Sequence, residues 1–110
     1  LLERERPDSG QERVRAMAEI IDALGEAEVL AQMAEEAAEL AQAALKLRRV
    51  LDGRNPTPVA EWEARDNLKE EYTDVVLCAQ EMGLFENLHL LVEKRARWKM
   101  RLGLEEEKDG

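Results

Sequence analysis

Two stretches of this chain repeat one order of apolar and acidic residues: Met33–Leu40 (MAEEAAEL) and Leu68–Val75 (LKEEYTDV), 35 residues apart. Each reads apolar, any residue, Glu, Glu, any two residues, an acid, apolar. Residues three apart on a helix are neighbours, so Glu36 pairs with Glu39 and Glu71 pairs with Asp74. Brought face to face across two helices, four carboxylates repel unless a cation sits among them. The chemistry these residues suggest is binding of a divalent metal. Oxygen-only ligation suits Mg²⁺, with Mn²⁺ as a substitute. Zinc would want Cys and His, and the chain has one of each. A carboxylate-bridged di-iron bundle would need two Glu-x-x-His motifs, and only Glu86/His89 has that spacing.

The elements that must position these acids follow from the apolar spacing. A first helix is predicted over about residues 11–24, with Val14, Met17, Ile21 and Leu24 as its stripe. A second, over about 26–51, carries Leu30, Met33, Ala37, Leu40, Ala44, Leu47 and Leu51 in alternating steps of three and four. A third, over about 59–82, carries Leu68, Tyr72, Val75, Ala79 and Met82. A fourth, over about 84–102, carries Leu84, Leu88, Leu91, Trp98 and Leu102, with Arg95 on the same stripe. Gly25, the segment Asp52–Pro58 (DGRNPTP), Gly83 and Gly103 supply the breaks. Residues 1–10 and 104–110 read as polar tails around an all-α domain over 11–103. No strands are predicted, and the expected architecture is a four-helix bundle.

Phase distinguishes the two acid pairs from others with the same spacing. Glu36 and Glu39 each precede a seam residue (Ala37, Leu40), as Glu71 and Asp74 do (Tyr72, Val75). Asp22 and Asp66 instead follow one, which places them on the opposite flank. The plainer reading is that all these acids form a solvated helix face.

Composition narrows the function classes. With 25 acidic against 16 basic residues the net charge is −9, which disfavours nucleic acid and anionic membranes as partners. The longest apolar run, Val75–Ala79, is too short to span a bilayer. No signal-peptide pattern opens the chain, so a cytoplasmic setting is expected. Because the first residue is Leu1 rather than Met, a trimmed or cleaved chain is also expected. The lone Cys78 forms no internal disulfide and reads as a small buried hydrophobe. A Walker-type phosphate loop is absent, and Ser9, the only serine, lies in the tail, which disfavours a Ser–His–Asp triad.

The order Glu-Glu-x-x-Glu-Leu, a spacer, then Asn-Leu-x-Glu-Glu-x-x-Asp-Val resembles the MazG-like, all-α nucleoside triphosphate pyrophosphohydrolases. Glu35, Glu36, Glu39, Asn67, Glu70, Glu71 and Asp74 carry the resemblance, which extends more loosely across residues 20–102. It implies cleavage of a nucleoside triphosphate, deoxy or ribo, between the α and β phosphates, with Mg²⁺ activating the attacking water. Dimers or dimers of dimers are implied as well. Carried onto this chain, Glu36, Glu39, Glu71 and Asp74 are the expected metal ligands. Glu35 and Glu70 are expected to orient water or support those ligands, and Glu36 or Glu39 to accept a proton.

Basic help near the acids is expected from Lys46, two turns beyond Glu39, with Asn67 at the rim. Further candidates, Lys94 and Arg95, lie in the densest basic cluster, Glu93–Arg101. Trp62 and Trp98 read as packing or subunit-interface residues, with base stacking as the alternative. The competing function is a non-catalytic acidic helical module that oligomerises through its seams. A dimer is expected under either reading, because so small a bundle gains by sharing a core.

Overall fold

The computed structural model describes residues 20–54 and 58–104. The expected N-terminal tail, most of the first helix and the C-terminal tail lie outside the described residues. Four helices appear in order: α1, described over residues 20–24; α2, Glu26–Leu51; α3, Glu61–Glu81; and α4, Leu88–Arg101. The described residues contain no strand. None of their helices is long and apolar enough to cross a membrane.

Local chemistry explains the boundaries. Gly25 stands between α1 and α2 at φ 85°, a conformation that side chains with a Cβ resist. At the end of α2, the Arg54 amide donates to the Arg49 carbonyl at 2.8 Å and the Gly53 amide to Val50 at 3.4 Å. This is a Schellman closure, and it requires the left-handed backbone that Gly53 supplies at φ 74°. The helix predicted from residue 84 instead starts at Leu88. Asn87 caps it, its Oδ1 accepting from the Leu90 amide at 3.0 Å. Leu84 meanwhile closes α3 by donating its amide to Ala79.

Of α2, α3 and α4, only α2 and α3 pack on each other. Glu36 lies near Cys78, while Lys46 shares a groove with Asn67, so the two helices run antiparallel. At one end, the Ile21 amide of α1 donates to Glu81 Oε1 of α3 at 3.1 Å. The buried core consists of Val29, Ala43 and Leu47 from α2 with Ala64 and Cys78 from α3. Among the described residues, α4 packs on neither α2 nor α3, so they do not form a closed bundle of four helices.

The packed faces keep Met33, Leu40, Leu47, Leu68, Val75, Ala79 and Met82 of the predicted stripes and extend one residue to the side of them. On α2 the inward positions are Val29, Met33, Glu36, Leu40, Ala43, Leu47 and Val50, whereas Leu30, Ala37, Ala44 and Leu51 are exposed. On α3, Ala64, Asn67, Glu71, Asp74 and Cys78 turn inward and Tyr72 is exposed. Both stripes keep steps of three and four. The apolar pattern left out Glu36, Asn67, Glu71 and Asp74 because counting apolar residues passes over polar and charged positions, even half-buried ones.

Candidate metal centre

Glu36 and Glu71 occupy core positions. Seven residues either side of Glu36 lie Val29 and Ala43, 2% and 3% exposed. Seven either side of Glu71 lie Ala64 and Cys78, 2% and 8% exposed. Seven residues is two helical turns, so each glutamate stands in line between two buried neighbours on its own helix. Those neighbours are small, which lets the two backbones approach and brings the carboxylates together.

Asp74, one turn beyond Glu71, completes the cluster. One carboxylate oxygen from each of Glu36, Glu71 and Asp74 lies within 4.8 Å of the other two. All three side chains are half-buried. Like charges at that separation cost a few kcal/mol per pair at an effective dielectric of about 20. Only part of the cluster is satisfied from within the chain. The Gln32 side-chain amide donates to Glu36 Oε1 at 2.8 Å. Glu36 Oε2 and Glu71 Oε2 are shut off from solvent and have no hydrogen-bond partner. A buried, unpartnered carboxylate oxygen is costly, and a cluster with two of them could hold a cation.

The donor set fits the expected metal. Three carboxylates offer only hard oxygen ligands, which suits Mg²⁺ or Mn²⁺. Cys78 borders the cluster: burial pushes its thiol pKa up, and the Glu36 and Asp74 carboxylates push it the same way. The thiol is therefore kept neutral, as a packing residue rather than a thiolate ligand.

The remaining expected site residues fall into three groups. Glu39 stands outside the three-carboxylate cluster and is exposed. It lines an adjoining groove of about 600 Å³ together with Glu71, Asn67, Lys46, Gln42 and Arg49. Lys46 and Asn67 thus lie beside the acids, as their spacing suggested. Glu35 and Glu70 are both exposed and belong to neither the cluster nor the groove lining. Lys94 and Arg95 ride on α4, which packs on neither α2 nor α3, so a single chain does not bring them to the acids.

Arg49 and Gln42 were missed by sequence reasoning. Their signal was present in the steps of three, four and three from Glu39 through Gln42 and Lys46 to Arg49. None of the family models, curated proteins or solved structures compared with the chain matches it. What the described residues define is an all-helical fold in which the packed pair α2–α3 carries a carboxylate cluster in its seam.

Proposed function

We propose that the chain is a Mg²⁺-dependent nucleoside triphosphate pyrophosphohydrolase, converting an NTP or dNTP to the monophosphate and pyrophosphate. One observation carries the reading: three carboxylates converge in a helical seam, and two of their buried oxygens lack partners. The resemblance of the doubled acidic motif to the MazG-like enzymes supplies the reaction.

Glu36, Glu71 and Asp74 would hold the ion, with Gln32 fixing the orientation of Glu36 through its 2.8 Å hydrogen bond. Bound Mg²⁺ would neutralise phosphate charge and act as a Lewis acid toward the α-phosphate and the attacking water. Lys46 and Asn67 would bind the substrate along the groove. Glu39, which is exposed and lines that groove, would accept the proton from water. No protein nucleophile is needed.

Self-association belongs to the same proposal. Leu88, Leu91, Val92 and Trp98 are all more than half exposed on α4. Apolar patches of that kind mark interfaces, and a homodimer or a dimer of dimers would bury them. The same patch favours the competing reading of a non-catalytic oligomerising module.

The two readings part on one experiment. Incubation with a panel of NTPs and dNTPs plus Mg²⁺ or Mn²⁺ should release pyrophosphate from at least one nucleotide, and Glu36→Gln should abolish the release. Absence of release from every nucleotide, or an unchanged rate in Glu36→Gln, would leave only the module.

A further inference from the structure

The groove beside the cluster has two chemically opposite parts. Glu39 and Glu71 line one, Lys46 and Arg49 the other. On α2 the lining positions 39, 42, 46 and 49 form one stripe that turns from acidic to basic toward the helix C-terminus. At about 1.5 Å rise per residue, Lys46 and Arg49 lie roughly 10 and 15 Å along the axis from Glu39. Helical side chains lean toward the N-terminus, so both long side chains can reach back toward the acids.

Among the described residues neither cation makes an ion pair, although two carboxylates line the same groove. A place in the last helical turn is favourable for any cation and would account for Arg49 alone. It does not account for Lys46, which is one turn further in and half-buried without a partner. An ammonium and a guanidinium left unpaired in one groove form a receptor for a polyanion, with the arginine able to grip phosphate through two hydrogen bonds at once.

We infer that Lys46 and Arg49 hold the β and γ phosphates of a triphosphate whose α phosphate lies toward the Glu36, Glu71 and Asp74 cluster. This rests on the pyrophosphohydrolase reading and gives it a direction. Water oxygen bonds to the α phosphorus, and the bond from that phosphorus to the bridging oxygen breaks. The electron pair leaves on pyrophosphate, and the proton from water passes to a groove carboxylate. The negative charge thus builds at the basic end of α2, where Lys46 and Arg49 meet it. Arg49 becomes a residue that binds the leaving group.

The test is calorimetric titration of Mg²⁺ pyrophosphate into the full chain and into Lys46→Gln, Arg49→Gln and Arg49→Lys. Binding should weaken about tenfold in each Gln variant and recover in part in Arg49→Lys. The rise in Tm with Mg²⁺ alone should be the same in all four proteins, which shows that the variants fold and keep the metal cluster. Equal pyrophosphate binding by wild type and both Gln variants would overturn the inference, as would no binding by wild type. Tight, Arg49-dependent binding in a protein that hydrolyses no nucleotide would uphold the phosphate site while removing the catalytic reading. Hydrolysis with KM and pyrophosphate inhibition untouched by Arg49→Gln would do the reverse.

Discussion

The α2–α3 pair and α4 use similar residues to opposite ends. The pair buries small apolar side chains and, among them, sets charges in its seam. Helix α4 has no buried residue, and its leucines and tryptophan face outward. Placing acids in a seam is unfavourable unless they bind something, and leaving an apolar face open is unfavourable unless it is covered. Under the proposed function a cation would offset the first cost and a second copy of the chain the second. The difference shows that departures from hydrophobic patterning can be read as binding statements once burial is known.

The sharpest way to break this comparison is to neutralise the seam. Glu71→Gln should reduce nucleotide hydrolysis by on the order of 100-fold or more, measured as pyrophosphate release. The same change should raise Tm in metal-free buffer by relieving repulsion, and should remove the increase in Tm that Mg²⁺ gives the wild type. A fall in metal-free Tm would mean that the carboxylate is paired in a way the cluster does not reveal.

Next in size is the α4 face. Leu91→Asp combined with Trp98→Asp should weaken self-association by at least about tenfold, read by sedimentation at several concentrations. An unchanged sedimentation profile would place the interface elsewhere.

A smaller effect should come from Cys78. Its pKa is raised in the folded state, so the native protein favours the neutral thiol. That contribution is complete below the ordinary thiol value of 9.0 and is lost as pH climbs from there through the raised folded value. The urea midpoint of wild type should therefore fall more steeply above that pH than the midpoint of Cys78→Ala. Parallel curves would mean that the thiol is not held neutral.

The smallest effect is expected at Glu35 and Glu70, both exposed. Each Glu→Gln change should leave hydrolysis within about twofold and stability nearly unchanged. A large loss at either would return that residue to the chemistry, as the motif alone suggested.

Helix content was legible because it depends on local features. Steps of three and four, Gly25, and the Gly53 and Gly83 closures act within a few residues, and α2 spans the residues that its pattern indicated. Asn87 was a local signal too, overlooked because the apolar stripe continues back through Leu84. The candidate cluster was legible in kind. Glu36, Glu71 and Asp74 were marked by repetition and phase, and Lys46 and Asn67 by their spacing from the acids.

Two matters belonged to the tertiary structure. The first was rotation of the helices about their axes. Ala37 and Tyr72 lie on the predicted stripes and Glu36 and Glu71 one residue to the side, and only packing shows that the covered face takes in the two acids and leaves Ala37 and Tyr72 exposed. That rotation drew Glu36 into the seam and left Glu39 on the groove wall beside Arg49. The second was the separation of α4, which keeps Lys94 and Arg95 from the acids of their own chain. Sequence by itself settles which residues share a helical face, because that is fixed by backbone period. Which face meets another helix depends on contacts between residues far apart in the chain, and those exist only after folding.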